Sequence, residues 1–467
     1  MIDFTGTYTD QYQLAMGQVY FLTGRKDQTA VFDYFFRKNP FKGGYTVFAG
    51  LSDLLKILEK LRFDSLDLAF LKARGLHADF LAYLKDFRFR GAIHASREGD
   101  LVFPTRPVLR VEAALIEAQL IETLLLNILN FQSLVATKAS RMRQVAKART
   151  LIDFGLRRAQ GPGGYFASRA AVIGGFDTTS NVRAARDFGL TPSGTMAHSF
   201  IQSCPDERTA FQQFAEGWPE NCVLLVDTYD TLKSGVPNAI AVGKEMEKRG
   251  HRLKGIRLDS GDLAYLARRS RAMLDDAGLD YVKIAASNQL DEHVIKSLLE
   301  QDAPIDVFGV GTNLVTGQPD AALDGVYKLA AVDGRPLIKI SENVEKITLP
   351  LQKQVFRVFN GEGYFLGADA VGIEGEPAIA MMHHPFIAHK SFVLAHCPME
   401  PLLEPVMRDG QMVRDMPDLP AVANYCRERL ALLPAEYKRF ENPHIYKVGI
   451  STRLREQRDR LIAAHKE

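Results

Sequence analysis

Between about residue 131 and residue 345, short apolar runs alternate with amphipathic stretches, and no other feature limits the chain as much. The runs cover residues 151–154, 223–226, 255–258, 282–285, 305–308 and 326–331. Helical patterns at 239–249, 263–275 and 292–301 fit between them. Strand and helix in that succession build a parallel sheet. Three of the runs give way to polar or glycine residues: Val226-Asp227-Thr228-Tyr229-Asp230, Arg257-Leu258-Asp259-Ser260-Gly261-Asp262 and Phe308-Gly309-Val310-Gly311-Thr312-Asn313. A barrel presents chemistry at many strand ends, whereas an open doubly wound sheet gathers its site at one reversal point. The pattern therefore predicts an α/β barrel.

A chain of 467 residues exceeds one ordinary domain. Three regions are expected: an α/β sandwich-like N-terminal domain at 1–130, the barrel at 131–345, and a proline-punctuated C-terminal region at 346–467 that packs back on the first. In the first region, residues 30–37 read as a strand and 10–21 as a helix, and a long helical pattern runs from 113 to 148. Helices at 419–432 and 452–465 close the chain. The composition, 46% hydrophobic and 24% charged, is that of a soluble globular protein. A net charge of +2 offers no argument for nucleic acid or an anionic membrane as partner. Cys204, Cys222, Cys397 and Cys426 share no close spacing, which fits a reducing compartment and no zinc ribbon. Met1-Ile2-Asp3-Phe4-Thr5 is neither basic nor apolar, and no run approaches the ~20 apolar residues that cross a bilayer. The expected location is cytoplasmic.

The stretch Ser193-Gly194-Thr195-Met196-Ala197-His198-Ser199-Phe200 places one histidine among small residues after a Gly-Thr turn. An imidazole with so little steric cover can act as a base or as a nucleophile toward a phosphoryl group; the alternative is a structural histidine. Gly309 and Gly311 let the backbone approach an anion, and Thr312 adds a hydroxyl donor, although a tight turn would look the same. Arg257 and Asp259 are two apart at a strand end and share a side. The guanidinium suits a planar carboxylate and the carboxylate suits a developing cation, or the two simply pair. Asp262 and Asp230 also read as helix caps, and Asp227 with Asp230 admits a glycosidase reading. Arg157, Arg158 and Arg169 flank Gln160-Gly161-Pro162-Gly163-Gly164, a loop suited to a polyanion or to solvent. His383, His384, His389 and His396 match no metal motif, so no metal site is assigned to side chains.

Together these segments resemble the bacterial-type nicotinate phosphoribosyltransferase family. Further matching stretches are Thr9-Asp10-Gln11-Tyr12-Gln13, Phe35-Phe36-Arg37-Lys38-Asn39-Pro40-Phe41, Phe154-Gly155-Leu156-Arg157-Arg158-Ala159-Gln160-Gly161, Gly174-Gly175-Phe176-Asp177-Thr178-Thr179-Ser180-Asn181, Gly325-Val326-Tyr327-Lys328-Leu329 and Leu433-Pro434-Ala435-Glu436-Tyr437. The resemblance implies an incomplete α/β barrel beside an α/β sandwich, in a homodimer whose active site lies at the subunit interface. It implies that nicotinate and 5-phosphoribosyl 1-diphosphate give nicotinate mononucleotide and diphosphate, with ATP hydrolysis coupled through a phosphohistidine at His198 and Mg²⁺ on the diphosphate. By the same likeness Tyr12 stacks on the pyridine ring from the neighbouring subunit, and Thr195 and Arg257 hold nicotinate. Gly309, Gly311 and Thr312 surround the sugar phosphate, and Arg37, Arg157 and Arg169 meet phosphate or diphosphate. Asp259 is the candidate for stabilising the ribose cation. The rival readings are a nicotinamide or quinolinate phosphoribosyltransferase and a non-catalytic metabolite-binding barrel.

Overall fold

The computed structural model describes residues 4–465, so the first three residues of the N-terminal reading lie outside it. The fold is mixed α/β with several sheets, and the chain divides into two units. One is the continuous stretch Lys138–Ala321; the other joins the residues up to Thr137 with those from Ala322 onward. Among the described residues, no helix is long and apolar enough to cross a membrane.

The continuous unit is built on six strands in the order Thr178–Thr179, Thr150–Asp153, Val307–Val310, Lys283–Ser287, Gly255–Leu258, Val223–Leu225. Every neighbouring pair is parallel. Buried Leu151, Leu224, Ile256, Ile284 and Phe308 on one face, with Ile152 and Leu225 on the other, make these strands apolar on both faces, as a sheet covered by helices requires. Helices Val236–Lys248, Leu263–Asp276 and Glu292–Glu300 supply the crossovers where the periodicity placed them. Asp262 and Asp291 cap the last two by accepting the first free backbone N–H groups. Because all six strands run the same way, their C-terminal ends share one edge.

In the discontinuous unit, a seven-stranded sheet has Thr29–Phe36 between Gly325–Val332 and Leu109–Ala114, antiparallel to both. The run at 326–331 therefore belongs to this sheet and not to the parallel one. An apolar run buried on both faces reads the same in either setting. The helical pattern from 113 also needs correction. The chain is a strand to Ala114, a short helix at Leu115–Leu120, and then a 25-residue helix from Glu122 to Ala146. Glu404–Arg408 extends the seven-stranded sheet by pairing with Ala92–Ala95. The C-terminal residues also form a six-stranded sheet, Ser391–Val393, Met381–His383, Lys447–Ser451, Phe365–Ile373, Lys353–Phe359, Met399–Pro401, which the prolines concealed. The closing helices, Leu419–Leu432 and Thr452–Ala464, stand where they were expected.

A buried charge network holds the discontinuous unit together. Arg357 donates to Asp369 through Nε (3.0 Å) and to Asp100 through Nη1 (2.8 Å). Arg106 lies 2.8 Å from Asp369, and Arg429 donates to Asp100 at 2.8 Å. Tyr446 donates to Asp369, and Lys353 pairs with buried Asp33 at 2.8 Å.

Candidate active site

The chemistry collects at the C-terminal edge of the parallel sheet, all of it within the continuous unit. Arg257 stands opposite Ala285 on one neighbouring strand and Leu225 on the other, so its backbone is held on both sides. Its guanidinium is almost fully engaged. Nε donates to Ser287 Oγ at 2.9 Å, Nη1 to Thr195 Oγ at 2.9 Å and to the Met196 carbonyl at 3.4 Å, and Nη2 to Asp259 Oδ1 at 3.0 Å. The cation also lies 5.4 Å from the centre of the Phe154 ring. Of its five N–H hydrogens, one on Nη2 is left for a ligand. A two-pronged grip on a carboxylate thus requires Asp259 or Thr195 to let go.

Asp259 is the junction of the site. Its Oδ1 accepts from Arg257 and from the Ser287 hydroxyl, and its Oδ2 lies 3.7 Å from His198 Nε2. Burial alone would raise this carboxyl. The Ser287 hydrogen bond, the charge and hydrogen bond of Arg257 and the charge of His198 outweigh burial and hold it below its ordinary value. Its backbone N–H donates to Asp227 Oδ2 at 2.8 Å, as Ser260 Oγ does at 2.6 Å. Asp227 is thereby committed to the loop, although its Oδ1 is buried without a hydrogen bond.

His198 opens the short helix His198–Gln202 and sets its Nδ1 3.0 Å from the Thr228 hydroxyl. The ring is held at both nitrogens, yet its side chain is 41% exposed, so a reactant can reach it.

A cleft of about 150 Å³ is lined by Arg157, Arg257, Asp259, Gly309, Gly311 and Thr312. The histidine meets it through Asp259. Arg158, read from sequence beside a polyanion loop, also lines the cleft, and the structure adds residues that were not assigned a role from sequence: Phe154, Ser287, Asn288 and Gln289. Asn288 and Gln289 hold φ of 81° and 47°, a left-handed pair of non-glycine residues of the kind stored at ligand sites. Asn313 ties this loop to the Gly311 loop, donating from Nδ2 to the carbonyls of Gln289 and Leu290, each at 3.1 Å. Gly309 has a packing reason of its own: a Cβ there would stand 2.3 Å from the Phe154 ring.

Other candidates lie elsewhere. Arg169 is buried in the helix Pro162–Ile173, 4% exposed, and does not line the cleft. Tyr12 and Arg37 belong to the discontinuous unit. Tyr12 is half-exposed on the helix Gln11–Leu22, and Arg37 follows the strand Thr29–Phe36 with its Nε buried and without a hydrogen bond. Asp230 caps a turn by accepting from Leu232 and Lys233, which removes it from any carboxylate pair. His384 Nδ1 accepts two backbone N–H groups, and His383 lies between Thr452 and Arg455. Among the described residues no group of three or more His, Cys, Asp or Glu is placed to hold a metal.

The family model described as "Nicotinate phosphoribosyltransferase (NAPRTase) family" matches residues 150–363. Models of that family's N-terminal and C-terminal domains match 7–130 and 352–458. A nicotinate phosphoribosyltransferase of Bacillus subtilis (strain 168) is 44% identical over 459 residues, spanning 96% of this chain and 93% of its own. A crystal structure of human nicotinic acid phosphoribosyltransferase superposes with a TM-score of 0.86 at 31% identity, covering 97% of this chain and 99% of that one. A nicotinate-nucleotide pyrophosphorylase from Pyrococcus furiosus superposes at 0.72 with 25% identity, covering 91% and 95%.

Proposed function

The chain belongs to the nicotinate phosphoribosyltransferase family, and from that premise we propose how its own residues carry the reaction. The pyridine nitrogen of nicotinate attacks C1 of 5-phosphoribosyl 1-diphosphate, the C1–O bond to diphosphate breaks, and nicotinate mononucleotide forms. Arg257 and Thr195 hold the nicotinate carboxylate. Asp259, kept ionised by its neighbours, faces the positive charge that develops on the ribose carbon. Gly309, Gly311 and Thr312 cradle the 5-phosphate with backbone N–H groups and a hydroxyl. Arg157 meets the diphosphate from the cleft, and the family likeness assigns phosphate contacts to Arg37 and Arg169 as well. Mg²⁺ would come with the diphosphate and ATP and would offset the charge of the leaving group, beside the arginines and hydroxyls that line the cleft.

ATP enters through His198: an imidazole nitrogen takes the γ-phosphoryl group, ADP leaves, and water later releases phosphate. The added charge lies one contact from Asp259 and so alters the site that holds the phosphoribosyl donor. Tyr12, presented by a second copy in a homodimer, stacks on the pyridine ring. We further infer that the parallel sheet is an incomplete barrel. Its strand order follows the sequence in one direction with a single jump, and among the described residues Thr178–Thr179 and Val223–Leu225 do not pair. The assignment of 1–130 as a sandwich-like domain and 346–467 as a region packing on it goes with that reading, the barrel of the 131–345 assignment being its part at 138–321. Four free cysteines fit a cytoplasmic enzyme.

One observation carries this reading: Thr195, Arg257, Asp259 and His198 form an unbroken line of contacts at the mouth of one sheet. Incubation with γ-labelled ATP should put acid-labile phosphate on the native chain and none on His198→Ala, which should keep weak uncoupled synthesis. Equal labelling of both proteins removes His198 from the mechanism. Nicotinamide should be a poor substrate because it lacks the charge that Arg257 meets. Quinolinate should be poor because its first carboxylate takes the one N–H left on that side chain and its second finds none.

A further inference from the structure

Ser287 touches both charged groups of the site and was assigned no role from sequence. It ends the strand Lys283–Ser287, is 3% exposed, and pairs in register with Gly309. Its oxygen accepts from Arg257 Nε at 2.9 Å while its hydrogen goes to Asp259 Oδ1. The alternative acceptor, the Leu258 carbonyl, is 3.4 Å away. One hydroxyl thus closes a ring with Arg257 Nη2 and Asp259 Oδ1. Immediately after it the chain turns through the left-handed pair Asn288 and Gln289, and Asn313 pins that turn. The backbone that carries the hydroxyl therefore has little freedom to shift.

Resting on the roles just given to Arg257 and Asp259, we propose that Ser287 is a positioning residue whose hydroxyl locks the guanidinium and the carboxylate into one rigid unit. Nicotinate then meets a fixed cation, and the ribose carbon a fixed, ionised anion. Without the hydroxyl, Arg257 Nε and Asp259 Oδ1 each lose a partner in a half-buried setting, and both side chains gain torsional freedom. The groups that act on Asp259 are Arg257 from its own strand, His198 from the short helix, and Asp227 beside its backbone N–H. Arg157 and Arg158 line the same cleft. Of the interactions that hold its carboxyl down, the Ser287 hydrogen bond ranks first.

The test compares Ser287→Ala with Ser287→Thr in the full-length enzyme. Loss of a hydrogen bond to charged groups corresponds to roughly a ten- to hundred-fold effect. S287A should raise the KM for nicotinate by about that range, with a smaller change in kcat. It should also move the acid limb of the kcat/KM profile to higher pH, because Asp259 then protonates more readily. S287T, which keeps the hydroxyl, should recover most of both. Should S287A not fold, Ser287→Cys, isosteric but a weak hydrogen-bond former, carries the same expectations. An unmoved KM and acid limb in the hydroxyl-deficient variant overturns the proposal, as does a threonine variant that folds and is as impaired as the alanine one. ATP labelling of His198 is scored separately. Absence of label in the native enzyme sinks the phosphohistidine and leaves the Ser287 test intact.

Discussion

The two units use the same pairing of arginine with aspartate to opposite ends. In the discontinuous unit, Arg357 and Asp369 are both fully buried, and Arg357 is engaged at all three nitrogens, with the Phe365 ring centre 4.5 Å from its guanidinium carbon. Asp369 also takes Arg106 and Tyr446. Both side chains are fully buried, so neither substrate nor water reaches the pair, and its role is to specify packing. In the continuous unit, Arg257 keeps one N–H in hand, Asp259 is 27% exposed, and the histidine beside it 41%. Each arginine leaves one of its five N–H groups without an acceptor, so the difference between a structural and a chemical ion pair here lies in access from solvent, not in residue type or in the number of hydrogen bonds.

Breaking the buried side of this comparison should have the largest effect. Arg357→Met removes the cation shared by buried Asp369 and Asp100, leaving each with one arginine, and should cost about 3–5 kcal/mol in chemical denaturation, while activity per folded molecule holds. A loss under 1 kcal/mol would mean that the network is not structural. On the open side, Asp259→Asn should lower kcat by roughly a hundred-fold or more in steady-state assays and change the melting temperature little, since the asparagine oxygen still accepts from Arg257 and Ser287. The third prediction concerns acid. Burial alone would raise the carboxyl of Asp100, but the charges of Arg357 and Arg429 hold it below its ordinary value. Its folded pKa lies under the unfolded value of about 3.9. Ionised Asp100 therefore adds stability above about pH 4, and that stability is lost as pH falls through the lower folded value. Denaturation midpoints measured between pH 5 and pH 2 should fall less steeply for Asp100→Asn than for the native chain. The smallest effect is expected at Asp262, which caps the helix Leu263–Asp276 by accepting from Tyr265 at 3.0 Å. Asp262→Ala should cost about 1 kcal/mol and leave catalysis alone, confirming that this carboxylate is a cap despite standing three residues from Asp259.

Much of the continuous unit was legible because burial on both faces leaves apolar runs with sharp polar ends. Val223–Leu225, Gly255–Leu258 and Val307–Val310 could each be placed within a residue or two. Arg257 and Asp259 stood out because they stand at the end of such a run, and His198 because small residues and a Gly-Thr turn surround it. Ser287 did not, since a serine ending Ala285-Ala286-Ser287 carries no signal until its two partners are known. Asn288 and Gln289 declare themselves only through backbone angles, which composition does not encode. The run at 326–331 misled because antiparallel pairing with Thr29–Phe36 depends on a partner some three hundred residues upstream. Among the residues after 346, strands of two or three residues, such as Met381–His383 and Ser391–Val393, are too short to show a period.

The tie between distant parts of the chain also sets an order of events during synthesis. Residues from Lys138 to Ala321 are one uninterrupted stretch, so that unit holds all its strands once they have left the ribosome. The other unit must wait. Asp33 and Asp100 emerge well before their countercharges, Lys353, Arg357 and Arg429. Until those arrive, the earliest part of the nascent polypeptide carries acidic groups that cannot be buried, and it stays open while the later-made middle unit folds ahead of it.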